Sequence, residues 1–143
     1  SLVGSEMCIR DRRMQEDGEL RAIAGKTGRE AVWALAWAYR RFAQQHRELY
    51  WLVMDTAAGE PRVLDDAAAR FTEPLKQVLS GFRLPPREEI HFRRMFRAIV
   101  HGFASQEDEG FFSHYPASTE LSFEFAIQRF VDCVLEAEKR NPS

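Results

Sequence analysis

Residues Ser118–Ala137 read STELSFEFAIQRFVDCVLEA, and their spacing decides the architecture. Phe123, Ile127, Phe130, Val131 and Val134 recur at intervals of three and four. That spacing gathers them on one face of an α-helix and matches no alternation of period two. Ser118 stands where an N-cap belongs, with a short side-chain oxygen to receive a first-turn amide. Phe125 lies off the stripe, with Ser122, Ala126 and Cys133 beside it. A helix that is apolar on one side and apolar or small on another is buried on both. In a chain of this length the second cover is a partner subunit, reached through a self-complementary helix pair, or else another helix of the same chain.

The preceding segment repeats the pattern. Phe92, Met95, Phe96, Ile99 and Phe103 form one stripe, and Ala98, Gly102 and Ala104 lie off it. Pro86 suits a first helical turn, and Glu88 and Glu89 set carboxylates against the positive helix end. Gly102 falls inside this helix, where glycine costs about 1 kcal/mol relative to alanine, so a close backbone contact is the expected compensation. Further upstream, Asp65 to Leu79 predicts a helix weakened at Pro74, with Gly81 as its C-terminal cap. The run REAVWALAWAYRRFAQQH, Arg29–His46, puts Val32, Leu35, Ala36, Tyr39, Phe42 and Ala43 on one face. Thr27 and Glu30 have capping-box spacing at its start. A continuation, RELYWLVMD, stops in a Gly59-Glu60-Pro61 turn, and a helical scrap from Glu19 to Ala24 precedes Gly25-Lys26-Thr27. No strand alternation, internal repeat or low-complexity run is present. The expectation is an all-α helical bundle of about five helices, the last two pairing with a partner's to make a dimeric four-helix bundle.

Composition agrees with that class. The chain is 45% hydrophobic and 29% charged, an ordinary soluble balance, and its net charge of −2 argues against gripping nucleic acid unaided. No apolar run approaches a membrane span. The opening SLVGSEMCIRDR, Ser1–Arg12, has neither the apolar region of a signal peptide nor a sustained period. Back-translated, it fits one open frame of transposon adaptor DNA of the kind used in sequencing libraries, so genuine sequence is expected to begin near Arg13. Cys8 belongs to that stretch and leaves Cys133 alone, which speaks against a disulfide framework or zinc site and suits a reducing cytoplasm.

Residues able to carry chemistry do not converge. Glu88-x-x-His91 has the spacing of a di-iron ligand pair, but that site needs a second copy and two further glutamates, and the sequence has no second copy. His46, His91, His101 and His114 are scattered, without a metal-binding partner at helical spacing. No nucleophile elbow or phosphate-cradling glycine loop occurs. Neither catalysis, a metal nor a cofactor is expected. The residue set that stands out is aromatic: Trp33, Trp37, Tyr39, Phe42, Tyr50, Trp51 and Met54. It reads either as packed core or as a pocket with apolar walls, and periodicity alone does not separate the two. Taken as a pocket, its walls are Trp33, Trp37, Tyr50, Met54, Phe71, Met95 and Ile99, with methionine thioethers adapting to an irregular hydrophobic or aromatic ligand.

From Arg29 to Ala137 the order of features resembles the C-terminal regulatory domain of TetR/AcrR-type transcriptional regulators, in the class called WHG. The matching pieces are AWAYRRFAQQHRELYWLVM, AAARFTEPLKQVLSGF, FRAIVHGFASQEDEGFF and STELSFEFAIQRFVDCVLEA, with Arg47 where the family's usual proline follows the histidine. The resemblance implies a bacterial, cytoplasmic, small-molecule-responsive transcription factor acting as a homodimer, with DNA bound only through an N-terminal helix-turn-helix. On this reading 1–12 is adaptor-derived, 13–27 is the remnant of a connector helix, and 28–140 is the regulatory domain. Upstream DNA is then expected to encode the helix-turn-helix. The dimer surface is expected to combine Ser122, Phe125, Ala126, Arg129 and Cys133 with Arg97, His101 and Ala104. Two other classes fit the residues less well: a stand-alone helical binding or dimerisation module, and a small helical enzyme.

Leu2, Val3, Met7 and Ile9 belong to no continuing pattern, so deleting Ser1–Arg12 should change stability by less than about 0.5 kcal/mol. A loss of several kcal/mol in a denaturant titration would show instead that these residues pack.

Overall fold

The computed structural model describes residues 14, 16–48, 50, 51 and 73–141, and all regular structure among them is helical. Helix α1 covers 16–23. Gly25, at φ +73°, then turns the chain in a conformation that a side chain would strain. Helix α2 runs Gly28–Gln45, α3 covers 73–79, α4 runs Pro86–Asp108 and α5 runs Thr119–Lys139. Among these described helices none is long and apolar enough to cross a membrane.

The apolar stripes meet in one aromatic seam. Phe123, Ile127, Phe130, Val131 and Val134 of α5 are all buried, as their spacing requires. Phe96 of α4 is fully buried and meets Tyr39 of α2 edge-on at 5.8 Å and Phe130 of α5 at 5.6 Å. Phe103 meets Phe123 at 5.3 Å. The pairs Phe96–Phe130 and Phe103–Phe123 run in opposite chain order, so α4 and α5 are antiparallel. α2 lies along the groove between them, with Trp37 edge-on to Phe123 at 5.2 Å. Ile23 of α1 and Leu75, Val78 and Leu79 of α3 join the same core.

Several local expectations change. Thr27 is the N-cap of α2, but its hydroxyl makes no capping bond, so the box with Glu30 does not form. Gly28, the first residue of α2, is left-handed at φ +56°. Ser118 likewise occupies the N-cap of α5 without a side-chain bond. Pro86 sits in the first turn of α4 with Glu88 and Glu89, as anticipated. After α3, Gly81 does not take the left-handed cap conformation. The amides of Ser80, Gly81 and Phe82 instead reach the carbonyls of Lys76, Val78 and Leu79. Met95 leaves the core and is 39% exposed. The seam centres on Phe92, Phe96 and Phe103, and at 100° per residue Met95 falls on its flank. The expected helix start at Asp65 and the Gly59-Glu60-Pro61 turn lie outside the described residues.

Phe130 touches both Phe92 and Phe96 from a fully buried position. Truncation to alanine should therefore destabilise the domain by about 3–5 kcal/mol in urea titration. A loss below about 1 kcal/mol would mean that the seam collapses onto the cavity and is not a rigid joint.

Candidate functional site

At His46 helix α2 breaks, with φ −129° and ψ 53°. The Tyr50 amide donates back to the His46 carbonyl at 2.8 Å, so a helical turn restarts in a new direction. This redirection carries Tyr50 and Trp51 against α4. The Tyr50 hydroxyl lies 2.8 Å from Nδ1 of His101, and the two rings stack with an interplanar angle of 29°. Trp51 stands edge-on to both, at 5.3 Å from Tyr50 and 5.6 Å from His101. Burial pushes the Tyr50 phenol well above its ordinary value; Arg97 opposes the shift and Glu19 adds to it. The phenol therefore keeps its proton and is available as donor to His101 Nδ1. Burial raises Tyr39 as well, reinforced by Glu19 and Tyr50 and opposed by Arg97.

Two clefts flank the Tyr50–Trp51 turn. One, of about 460 Å³, is walled by Tyr39, Tyr50, Trp51, Arg97, Ala98, Val100 and His101. The other, of about 340 Å³, lies between the C-terminal ends of α2 and α4 and shares Tyr50, Trp51 and Val100. Charge pairs bridge the second cleft. Arg40 donates to both carboxylate oxygens of Glu107 at 3.2 Å, Gln44 reaches the same carboxylate at 3.3 Å, and Arg47 pairs with Asp108. The Arg40 guanidinium also lies over the rings of Trp37 and Phe123, at 5.4 and 5.3 Å, so its stem and charge are both used.

The residues proposed from sequence as ligand walls divide. Tyr50 lines both clefts. Trp33 and Trp37 stack on each other at 6.1 Å and pack on the core, where Trp37 meets Phe123. Ile99 also packs on the core, Met95 is exposed on the opposite flank of α4, and Met54 and Phe71 lie outside the described residues. Trp51 and Tyr39, members of the aromatic set but not of the expected walls, line the clefts, and so does the Arg40–Glu107 pair, which pattern reading passed over. The available signal was the pair of polar tips Arg97 and His101, one turn apart on α4.

The residues proposed for the dimer also separate into two groups. On α5, Phe125 is 64% exposed, Ser122, Arg129 and Cys133 are exposed, and Ala126 is half-buried, all on one flank. The Arg129 guanidinium covers the Phe125 ring at 5.0 Å. On α4, Arg97 and His101 line the larger cleft and Ala104 the smaller, beside α2 and the Tyr50 turn. At 100° per residue, the α4 flank turned away from α2 carries Met95 and Gly102. An added Cβ at Gly102 would meet nothing within 4 Å. Glu88 and His91 are exposed, and among the described residues no three metal-binding side chains converge.

The family model described as "Tetracyclin repressor-like, C-terminal domain" matches residues 32–130, more than half of the chain. No individual curated protein matches.

Tyr39 and Tyr50 hold their protons in the folded state at a pH where the unfolded chain loses them, near pH 10. Their contribution to stability is complete below that value and declines as pH rises above it. Replacing both with phenylalanine should flatten the alkaline fall in urea midpoint between pH 9 and 11. At pH 7, Tyr50→Phe should cost about 0.5–1.5 kcal/mol through the lost bond to His101. An unchanged alkaline slope in the double variant would show that these phenols ionise normally.

Proposed function

The chain belongs to the tetracyclin repressor-like C-terminal domain family, and on that premise we propose that it is the effector-sensing and dimerisation domain of a TetR-type transcriptional regulator. Domains of this family generally act as dimers that bind effectors. DNA recognition in such a regulator is the task of a separate helix-turn-helix, and the effector alters how two such heads are presented to adjacent half-sites. Sensing rests above all on one observation, the two clefts that meet at Tyr50 and Trp51. Cavities of this size with aromatic walls and a few polar tips suit a small hydrophobic or aromatic molecule. Tyr50, Trp51 and His101 are its central contacts.

Dimerisation is supported by the flank of α4 and α5 that faces away from α2. Phe125 and Leu121 are 64% and 62% exposed there, more than a folded chain gains from leaving such side chains in water. Gly102 on the same side costs about 1 kcal/mol in a helix interior, and no atom of the described residues needs the space. A partner helix crossing at Gly102 would use it. Two copies of α4 and α5 packed about a two-fold axis bury well over about 1,000 Å², enough for a stable interface.

Sedimentation measures the association. Phe125→Glu should split the dimer while leaving the monomer folded, because it buries an unpaired charge once per subunit. A native chain that stays monomeric at tens of micromolar would overturn the dimer. Gly102→Ala supplies a test of sign. It should stabilise the monomeric Phe125→Glu background by about 0.5–1 kcal/mol, yet weaken association in the otherwise native chain. Sensing is checked by thermal unfolding against a panel of small aromatic compounds. A true ligand at a hundredfold its Kd should stabilise by about 2.7 kcal/mol, and Trp51→Ala should abolish that gain.

A further inference from the structure

We propose that the cleft walled by Tyr39, Tyr50, Trp51, Arg97 and His101 selects an uncharged aromatic molecule carrying a hydrogen-bond acceptor on its rim, with the Nε2–H of His101 as the donor that reads it. This deepens the effector-sensing reading and rests on it. Two phenols, a guanidinium and an imidazole line the cleft, and the first three are already committed. The Tyr50 hydroxyl lies 2.8 Å from His101 Nδ1. Tyr39 and Arg97 are engaged with neighbours in the chain, as is the buried Glu19. At both phenols Glu19 and Arg97 act in opposite senses, so the acid offsets the guanidinium. A charged guest would give up its hydration without gaining an unopposed charge of the other sign.

Tyr50 decides what His101 offers. It is 2% exposed, and among the described residues its hydroxyl has no other hydrogen-bond partner. Were Nδ1 the protonated nitrogen, the phenol proton would be left buried without an acceptor, which costs the full desolvation of that group. The phenol therefore donates to Nδ1, and a neutral imidazole then carries its proton on Nε2. His101 is exposed and makes no further hydrogen bond among the described residues, so that donor is open to a guest. The indole of Trp51 adds a donor N–H and no acceptor. Negative charge is unwelcome beside them: burial outweighs Arg97 at the Tyr50 oxygen and makes its phenol hold its proton. Trp51 stands at 75° to the His101 ring, so a flat guest stacked on the indole meets the imidazole at an angle and not face to face. A volume of about 460 Å³ suits one or two fused rings.

The probes are quinoline, uncharged at pH 8 with one acceptor nitrogen; its isostere naphthalene, which has no acceptor; and the anion 1-naphthoate. Each is titrated into the full chain at pH 8, with the Trp51 indole NMR resonance as locator and the ring-nitrogen shifts of His101 as tautomer readout. The native spectrum should show a protonated Nε2 and an unprotonated Nδ1. Quinoline should bind about threefold to tenfold more tightly than naphthalene, the range of one added hydrogen bond. Naphthoate should bind at least about tenfold more weakly than quinoline, because its charge finds no unopposed partner. His101→Phe keeps a ring and removes the donor, so the quinoline-to-naphthalene ratio should fall below about twofold. That variant orphans the Tyr50 hydroxyl, whereas the double variant Tyr50→Phe/His101→Phe removes both ends of the bond and should lose the ratio equally. A cooperative thermal transition certifies that each variant is folded. A proton found on Nδ1, equal affinity for quinoline and naphthalene, tightest binding by naphthoate, or a ratio that survives in the double variant would overturn selection by His101 while leaving effector sensing intact. If none of the three probes, nor a broader aromatic panel, moves the Trp51 resonance, selection and sensing both fall.

Discussion

Phe96 is the side chain on which the structure closes. Its ring has no exposure and meets Tyr39 of α2 and Phe130 of α5 edge-on. Three helices thus share one aromatic contact, and the other pairs, Phe92–Phe130, Phe103–Phe123 and Trp37–Phe123, extend it along the seam. Edge-on aromatic contacts prefer particular ring separations and angles, so the seam sets the antiparallel register of α4 and α5 as well as holding them together. Once the inner faces are used in this way, the two flanks of α4 acquire different surroundings. One faces α2 and the Tyr50 turn, and the other is left without a cover among the described residues.

The break at His46 has an equally specific consequence. A helix continuing straight from Gln45 would carry Tyr50 past α4 along the original axis. The restarted turn brings it back, and the Tyr50–His101 hydrogen bond ties the turn to α4. A cleft lies on each side of the turn. The Arg40–Glu107 pair spans the smaller cleft. With side chains 11% and 21% exposed, it is poorly screened by salt, and its carboxylate accepts from Gln44 as well.

Glu19 connects this site to the start of the described chain. It is the buried charged side chain among the described residues, it belongs to α1, and its field acts on the same phenols as that of Arg97. Ile23, on the same short helix, is anchored in the core. Leu20 of α1 packs against the same core.

The helices were legible in the sequence because burial follows a 3.6-residue period whatever the helices pack against. Phe123, Ile127, Phe130, Val131 and Val134 were assigned to the core from spacing alone, and all are buried. Phe125 was assigned to the outer flank of α5, where its ring is 64% exposed. The all-α class and the resemblance to a TetR-type regulatory domain also came from spacing and order, and the family match bears the resemblance out. Capping was less legible, because a hydroxyl at the right position bonds only if the backbone around it cooperates, and neither Thr27 nor Ser118 makes the bond. The cleft was legible only as an aromatic surplus. Trp33 and Trp37 look like Tyr50 and Trp51 in a sequence, yet the first pair is drawn onto α5 by Phe123 while the second is turned onto His101 by a backbone break. Periodicity determines which face of a helix is apolar. Which neighbour that face meets, and whether a gap is left between them, depends on interaxial angles and chain direction, which local spacing does not encode and tertiary packing decides.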